Sequence, residues 1–311
     1  MRIYIQKNNF YSNYLRCQLI GKHLPFEVTF FEEYDPAEAE KHDICLFQSF
    51  YLYNVFSSKV KHIWDLDDVL ENNEINTPEE VERIITEMKR CFEKCDGVLF
   101  GSQLLYERYK DWYSGEYSIM DDYIDPCDHE AENQIKNDGK IRIGFMGSGM
   151  YEQEVNELIP IMTDLKKKYP IEFIVLGVGA CKAKLKEAGF QCIPYDTRYS
   201  EFQYLLTSQA LDIGIIYQKP REVMQAKNYL KFAEFSWFGI PVVASGWITG
   251  KYVPSRYFRP FDDLNKAYRA LQGLIESSDR KKLGRLAQKF VKDNFNLHDR
   301  IETYKNFMEA L

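Results

Sequence analysis

A chain of 311 residues has the length of about two ordinary domains, so it can bury a hydrophobic core without disulfide bonds. Hydrophobic residues make up 45% and charged residues 28% of the chain, a balance that excludes a disordered or fibrous protein. The 40 basic and 47 acidic side chains give a net charge of −7, which argues against nucleic acid as the main partner.

No segment has the length and apolarity of a membrane span. The longest apolar run, Phe173 to Ala180, is far shorter than the roughly 18 residues that a span requires. The N-terminus enters a strand pattern at once, which predicts no cleaved signal peptide and a cytoplasmic protein. Contact with the inner face of the membrane stays open, because the aromatic run Phe50–Tyr53 fits an acceptor-facing or membrane-facing patch as well as the core or an interface.

Seven cysteines and five histidines are scattered along the chain. Only Cys91 and Cys95 are close in sequence, and a spacing of four without a second pair is a weak metal signal. The histidines form no zinc signature. The sequence therefore predicts buried thiols in a reducing compartment and no metal site.

Strand-like apolar runs alternate with helical stretches in the first half of the chain. The strands predicted there are Arg2–Gln6, Phe26–Phe31, Asp43–Phe47, Val60–Trp64, Gly97–Gly101 and Tyr117–Tyr123. The helices predicted there are Ser12–His23, Thr77–Lys94 and Gln103–Trp112. Thr77 followed by proline and two glutamates is a typical helix start.

A polar segment, Cys127–Gly139, separates this half from a second series of alternating elements and is the predicted linker. The strands predicted after it are Ile141–Met146, Ile171–Leu176, Phe190–Tyr195, Leu211–Tyr217 and Ile240–Ala244. The helices predicted after it are Asn156–Tyr169, Lys182–Ala188, Ser200–Ser208, Tyr229–Phe238, Ser278–Asn294 and His298–Leu311.

Alternating strands and helices predict parallel sheets built from right-handed crossovers. The expected fold is α/β, with two Rossmann-like doubly wound domains facing each other across a cleft and helices closing the chain. We expect the domains at 1–126 and 140–295, the linker at 127–139, and a last helix at 296–311 that packs back on the first domain. Ligands of such sheets bind beyond the carboxyl ends of the strands.

A stripe of charged residues lies in and before the predicted helix Tyr229–Phe238. Lys227, Lys231 and Glu234 are spaced by four and three residues, so they would share one helix face. Cations and free helix amides could bind phosphate there, and a carboxylate could accept hydrogen bonds from ribose hydroxyls. An exposed ion-pair stripe on a surface helix explains the same spacing and stays open.

The segment from Leu211 to Ser245 resembles the donor-binding motif of GT-B glycosyltransferases, especially those similar to glycosyltransferase family 4. The resemblance rests on a strand with Asp212, a helix with Lys-x-x-Glu at Lys231 and Glu234, and the run Gly-Ile-Pro-Val-Val-Ala-Ser from Gly239. It implies a hexosyltransferase that moves a sugar from a nucleotide-sugar to a glycan or lipid-linked acceptor. It also implies a metal-independent, retaining reaction without a cofactor and a role in cell-surface polysaccharide synthesis.

The resemblance carries donor-site roles to particular positions. Glu234 matches the ribose-binding glutamate, Lys231 a phosphate-binding lysine that we also expect to be catalytic, and Tyr195 a residue beside the base. The donor phosphates would approach the turn after the first strand of the donor domain and the start of the donor helix, which places Gly147, Ser148, Gly149, Lys227 and Asn228 in the predicted site.

This sequence departs from the family pattern at three places. Ala226 stands where many members have a second glutamate, and the basic residues often found within Ser148–Glu154 are missing. The glycine-rich turn after the first strand is replaced by Lys7-Asn8-Asn9-Phe10. Lys219, Arg221 or Lys227 would have to supply the missing positive charge.

An acidic cluster, Asp65, Asp67 and Asp68, follows the predicted strand Val60–Trp64. Carboxylates this close repel one another and require a cation, donors or water. We expect Asp65 and Asp67 to be catalytic and to meet the acceptor hydroxyl, whereas a solvated or helix-capping loop explains them equally well. A metal-binding Asp-x-Asp of the GT-A type is a weaker interpretation, since the nucleotide pattern lies far downstream.

Two other functions stay open. The substitutions at Ala226 and after Gly147 would suit a catalytically silent GT-B-like protein that binds a partner enzyme or a glycan. An epimerase on the same two-domain architecture is the weaker alternative.

Overall fold

The computed structural model describes residues 1–8, 11–72, 76–128, 133–134, 136–193 and 199–311. The chain divides into two compact units. The first contains Met1–Asp125, Arg221–Lys227 and Leu297–Leu311, and the second contains Pro126–Pro220 and Asn228–Asn296. No helix among the described residues is long and apolar enough to cross a membrane.

The first unit is built on a parallel six-stranded sheet with the order β2-β1-β3-β4-β5-β6. Its strands are β1 (Arg2–Gln6), β2 (Glu27–Phe31), β3 (Ile44–Phe47), β4 (Lys61–Leu66), β5 (Gly97–Phe100) and β6 (Glu116–Ile119). This order reverses its direction of growth between β1 and β3, as flavodoxin-like sheets do. The central strands are buried, so they consist of continuous apolar residues.

The second unit contains another parallel six-stranded sheet, with the order β12-β11-β10-β7-β8-β9. Its strands are β7 (Ile141–Met146), β8 (Ile171–Leu176), β9 (Gln191–Ile193), β10 (Ile213–Ile216), β11 (Val242–Ser245) and β12 (Arg259–Phe261). Counted from β7, this is the Rossmann strand order, and the direction reverses between β7 and β10. The predicted fold class of two Rossmann-like α/β units is confirmed.

Helices connect the strands of both sheets. They are α1 (Tyr11–Asn13), α2 (Leu19–His23), α3 (Pro36–Ala39), α4 (Pro78–Lys94), α5 (Gln103–Tyr109), α6 (Glu152–Lys166), α7 (Lys182–Glu187), α8 (Tyr199–Ser208), α9 (Glu222–Gln225), α10 (Leu230–Trp237), α11 (Gly246–Tyr252), α12 (Leu264–Glu276), α13 (Arg280–Asn294) and α14 (Ile301–Ala310). A π-helical turn, Tyr14–Gln18, joins α1 to α2.

The start of α4 shows why the sequence signal there was reliable. The Thr77 hydroxyl accepts the N–H of Glu80, and the Glu80 carboxylate accepts the N–H of Thr77. Pro78 occupies the first helical position, where no amide donor is needed. This capping box begins an amphipathic helix that buries Met88 and Phe92 against the first sheet.

Several predicted boundaries were wrong. The strand expected at Val60–Trp64 continues to Leu66 as β4, and the strand expected at Tyr117–Tyr123 ends at Ile119. The short edge strand β12 was missed. β4 continues past the apolar run because a buried arginine, Arg16, pairs with the acidic side chain of Asp65.

Candidate functional site

The turn after β7 forms one wall of a candidate donor site in the second unit. Gly147 donates its N–H to the carbonyl of Leu176 at 3.0 Å, and exposed Ser148 and Gly149 follow. A Cβ atom at Gly147 would lie 2.7 Å from Cδ2 of Tyr151, so the tyrosine ring packs directly on this glycine. A Cβ atom at Gly149 would meet no described atom within 4 Å, which leaves the backbone there open to a ligand.

Helix α10 lies against the sheet beside this turn. A Cβ atom on Gly214 of β10 would lie 2.7 Å from Cγ of Phe235, so the buried Phe235 ring fixes the helix on the strand. Just before the helix, Oδ1 of Asn228 accepts the N–H of Leu230 at 3.0 Å. Asn228 thereby satisfies one of the free amides at the N-terminus of α10.

Lys231 projects from the first turn of α10 toward the turn after β7. Its Nζ lies 4.4 Å from the ring centroid of Tyr151, a cation–π distance. Because Tyr151 packs on Gly147, the structure brings the predicted lysine and the predicted glycine turn together. Lys231 as a whole is half-buried, so the side chain keeps contact with solvent.

Glu234 lies one turn further along α10 and is 1% exposed. Burial raises the pKa of this carboxyl group from 4.5 to about 8. A carboxyl group in such a position is neutral at pH 7 and becomes a stronger hydrogen-bond acceptor once it loses its proton. Perturbed carboxyls of this kind concentrate at functional sites.

A hydrogen-bonded network that the sequence did not reveal supports these residues. The N–H of Gln218 donates to Oγ of Ser245 at 3.0 Å, and Nε2 of Gln218 donates to the Tyr151 hydroxyl at 3.2 Å. Trp247 Nε1 donates to the Gln218 carbonyl at 2.6 Å. The network links the carboxyl ends of β10 and β11 to Tyr151, which follows β7. The chain contains 22 tyrosines, and no local sequence motif distinguishes Tyr151 from the others.

Lys219, one of the residues expected to supply missing positive charge, is paired within the second unit. Its Nζ lies 2.7 Å from Oε1 of Glu157, and the Tyr217 hydroxyl donates to Oε2 of Glu157 at 2.6 Å. Burial alone would raise the pKa of Glu157, but the hydrogen bonds from Lys219 and Tyr217 outweigh it and leave that pKa lowered. Lys219 therefore has an acidic partner of its own.

Lys227 does not share the stripe predicted for it. Helix α10 begins at Leu230, so Lys227 precedes the helix and belongs to the first unit. Its ammonium group pairs with the Asp68 carboxylate. The predicted donor residue Tyr195 lies outside the described residues.

Asp65 lies inside β4 and is 1% exposed. Arg16 Nη2 donates to Oδ1 of Asp65 at 2.6 Å, Arg16 Nε donates to Oδ2 at 3.0 Å, and Gln48 Nε2 donates to Oδ2 at 2.9 Å. Burial alone would lower the pKa of Arg16, but Asp65 and Asp122 raise it well above its usual value. Both oxygens of Asp65 therefore serve a buried ion pair.

Asp67 differs from Asp65 in its environment. It lies just beyond β4 and keeps part of its surface exposed. Burial among protein atoms, reinforced by the negative charge of Asp65, raises the pKa of Asp67 to about 7. A Cβ atom at Gly101, which directly follows β5, would lie 2.9 Å from Cα of Asp67. The backbone of Asp67 therefore packs against the end of β5. Of the two predicted carboxylates, Asp67 is the one with an accessible surface and a proton affinity suited to neutral pH.

A separate cavity of about 1070 Å³ opens in the second unit. Its lining includes Arg280, Arg285 and Lys136, together with Asp212, which precedes β10. The cavity therefore lies at the amino ends of the strands, whereas ligands of parallel sheets bind at the carboxyl ends. None of the predicted donor-binding residues that the structure describes lines it.

Comparison with solved structures extends the fold assignment to the whole chain. HepE from Anabaena, solved in complex with UDP-glucose, matches over 100% of both chains with a TM-score of 0.70 at 11% identity. A glycosyltransferase from Rickettsia africae matches over 99% of this chain and 98% of its own with a TM-score of 0.63 at 10% identity. This chain shares their fold.

A TarM mutant from S. aureus, solved with fondaparinux, alpha-GlcNAc-glycerol and UDP, matches 85% of this chain with a TM-score of 0.62 at 12% identity. This chain spans 55% of the TarM chain. No family model matches the sequence, and no curated protein matches it. Identities this low establish the fold alone.

Proposed function

We propose that this chain is a metal-independent, retaining glycosyltransferase that takes a hexose from a nucleotide-sugar, as the resemblance to glycosyltransferase family 4 implies. The observation that carries the proposal is the position of Lys231. Its ammonium group lies over Tyr151, beside the open Gly147–Gly149 turn and one helical turn before the buried Glu234. A cation, an exposed stretch of backbone at Ser148 and Gly149 and a carboxyl group thus lie near the strand-order reversal, where Rossmann-like sheets bind nucleotides.

The phosphates would bind between Lys231 and the backbone amides of Ser148 and Gly149, since the Gly147 N–H is already bonded to the Leu176 carbonyl. When the bond between sugar and nucleotide breaks, negative charge accumulates on the leaving diphosphate. A preorganised cation and amide donors stabilise that charge more strongly in the transition state than in the ground state, which lowers the barrier. Lys231 is the catalytic residue of the second unit in this proposal.

Glu234 would bind the ribose. Its carboxyl oxygens can accept hydrogen bonds from two neighbouring hydroxyls, and such bonds to an ionised acceptor are among the stronger ones. Because HepE was solved with UDP-glucose and the TarM mutant with UDP, uridine is the base to test first.

The acceptor is proposed to be a glycan or a lipid-linked saccharide. Asp67 is the carboxylate of the first unit proposed to contact its hydroxyl, since a pKa of about 7 lets it accept a proton near neutral pH. A cytoplasmic location, contact with the inner face of the membrane and a role in cell-surface polysaccharide synthesis belong to the same proposal.

Nucleotide binding is tested by thermal unfolding with UDP, GDP and ADP. We expect UDP to raise the melting temperature of the wild type and to have little effect on Lys231→Ala. Lys168→Ala is the matched control, because Lys168 also lies over a tyrosine ring, 5.4 Å from the Tyr268 centroid, but precedes β8 at the amino ends of the strands. No shift with any nucleotide would contradict the proposal.

Turnover is tested by release of UDP from UDP-glucose in the presence of oligosaccharide and lipid-linked acceptors, without added Mg²⁺ or Mn²⁺. Retention predicts that NMR of the product shows the anomeric configuration of the donor. Binding of UDP without turnover under any of these conditions would favour the silent partner-binding protein instead, and a sugar epimer of the donor as product would favour an epimerase.

A further inference from the structure

Three side chains that are distant in sequence meet in the first unit. They are His23 at the end of α2, Asp125 at the last position before the second unit begins, and His298 in the turn that follows Leu297. Nε2 of His23 lies 2.6 Å from Oδ2 of Asp125, and Nε2 of His298 lies 3.3 Å from Oδ1 of the same carboxylate. One candidate ligand atom from each of the three residues lies within 4.8 Å of the others.

We propose that His23, Asp125 and His298 form a binding site for one Zn²⁺ ion. Two imidazoles and one carboxylate are a donor set that zinc accepts, with nitrogen and oxygen at about 2.0–2.2 Å. Ligand atoms at those distances around a tetrahedral ion are about 3.4 Å apart. Rotations of the two imidazole rings would bring the three ligand atoms, now within 4.8 Å of one another, to that separation. The ring centroids are 4.7 Å apart and tilted by 58°, which lets both rings aim at one point.

The burial of the three side chains suits an ion bound at the protein surface. The Asp125 side chain is 2% exposed and therefore fixed, whereas those of His23 and His298 are 25% and 43% exposed. The exposed side admits water as the remaining ligand. Without an ion, each imidazole must direct an N–H toward Asp125, and zinc would replace those two protons on the nitrogens.

The position of the cluster indicates a structural role. The chain first leaves the first unit after Asp125 and enters it for the last time at Leu297, where the Leu297 N–H donates to the Ile124 carbonyl at 2.9 Å. An ion at this point would tie α2 to both of these chain segments. The site takes no part in the sugar transfer proposed above, and none of its ligands belongs to the candidate donor site.

The test is a titration of the chelator-treated full chain with ZnCl2, followed by calorimetry and thermal unfolding. We expect one ion per chain and a rise in melting temperature of about 5 °C at a hundredfold excess over the dissociation constant. His298→Ala should weaken zinc binding at least tenfold. Because the His298 side chain is exposed, this substitution should leave the fold intact, so misfolding would not account for the loss of binding. Asp299→Asn, which changes the adjacent exposed carboxylate, should bind zinc like the wild type.

Two results would overturn the site. One is the absence of zinc binding to the wild type, and the other is undiminished binding in both His298→Ala and His23→Ala. X-ray absorption at the zinc edge distinguishes these ligands from the seven cysteines. Nitrogen and oxygen neighbours at about 2.0–2.2 Å support the site, whereas sulfur at about 2.3 Å assigns the ion to thiols and refutes it.

Discussion

Glu234 occupies a position that is unfavourable for a carboxylate, because burial on α10 raises its pKa from 4.5 to about 8. Between pH 4.5 and about pH 8 the Glu234 carboxyl group of the folded protein holds a proton that the same group has released in the unfolded chain. The free energy of unfolding therefore falls as the pH rises through this window. A protein keeps such a carboxyl where the charged form has a use, and ribose hydroxyls supply one.

Glu234→Gln should remove this pH dependence. Glutamine cannot ionise, so we expect the variant to be more stable than the wild type at pH 8.5, on the order of 4 kcal/mol, and equal to it near pH 4. The same variant should bind UDP more weakly, with the difference growing as the pH rises from 7 to 9. Urea unfolding at several pH values and UDP titration check both parts, and a variant that retains wild-type UDP affinity would argue against ribose binding by Glu234.

Asp65 and Asp67 should respond oppositely to the same substitution. Asp65→Asn removes the nearer of the two carboxylates paired with the buried guanidinium of Arg16 and leaves Asp122 at 3.3 Å, so we expect a loss of roughly 3 kcal/mol in stability. Asp67→Asn removes a charge that the surrounding protein atoms and Asp65 disfavour, so it should leave stability unchanged or higher above pH 7, while it lowers turnover. Denaturant unfolding and UDP release measure the two effects. An Asp65→Asn variant that is as stable as the wild type but inactive would contradict this structural role and indicate that Asp65 is catalytic.

The sequence indicates which residues are candidates for the site, but it does not show which of them are accessible to a ligand and which are held in buried ion pairs. Asp65 and Asp67 look equivalent in the sequence because the partner that distinguishes them, Arg16, lies 49 residues from Asp65. The contact between Lys231 and Tyr151 and the cluster of His23, Asp125 and His298 are likewise created by folding. Local spacing predicts which residues share a helix face, and it carries no information about contacts between distant segments.

At the scale of elements, the position of α10 depends on a close contact with α13. A Cβ atom at Gly284 of α13 would lie 2.0 Å from the carbonyl oxygen of Gly239, which follows α10 in a left-handed conformation with φ of +71°. Gln288 of α13 also donates to the Trp237 carbonyl at 2.7 Å, so two contacts hold the end of α10. Since Lys231 and Glu234 lie on α10, this contact also fixes the candidate donor site.

Gly284→Ala should therefore destabilise the protein and weaken UDP binding. The added methyl group forces α13 away from a backbone atom, so we expect a loss of roughly 2–3 kcal/mol despite the better helix propensity of alanine. Gly273→Ala in α12 is the control, because no described atom lies within 4 Å of its added carbon. That exchange should stabilise by roughly 0.5–1 kcal/mol. Equal effects of the two substitutions on thermal unfolding would contradict this account of the contact.

Most strands were predictable because buried parallel strands are continuous apolar runs. The errors arise where tertiary contacts override that rule. β4 includes the charged Asp65 since Arg16 neutralises it, and β12 reads Arg-Pro-Phe, which has no strand signature. β12 exists because β11 supplies a pairing edge, with Ala244 opposite Pro260.

At the scale of the whole molecule, the first unit is completed by chain that is remote in sequence. Leu297–Leu311 belongs to it, and this segment buries Tyr304 and Met308 of α14. A Cβ atom at Gly97, the first residue of β5, would lie 2.9 Å from Cδ1 of Leu311 and 3.0 Å from Cζ of Phe307. The C-terminal residues thus pack at the start of β5, the strand next to the edge strand β6 of the first sheet.

Deleting Leu297–Leu311 should weaken the first unit while sparing nucleotide binding. Each large apolar side chain removed from the core costs roughly 1.5–3 kcal/mol. We therefore expect the β5 region to lose protection in hydrogen exchange and to become sensitive to proteases. The Gly147–Gly149 turn, Asn228, Lys231 and Glu234 all belong to the second unit, so UDP should still raise the melting temperature.

The deletion removes the packing of α14 and also the proposed zinc ligand His298, and two point variants distinguish these two effects. Tyr304→Ala keeps His298 and should reproduce most of the loss of protection, whereas Glu302→Ala changes an exposed side chain of α14 and should not. If the deletion abolished UDP binding in a chain whose second unit stays protected from exchange, nucleotide binding would require the first unit as well. The donor site would then be incomplete as described.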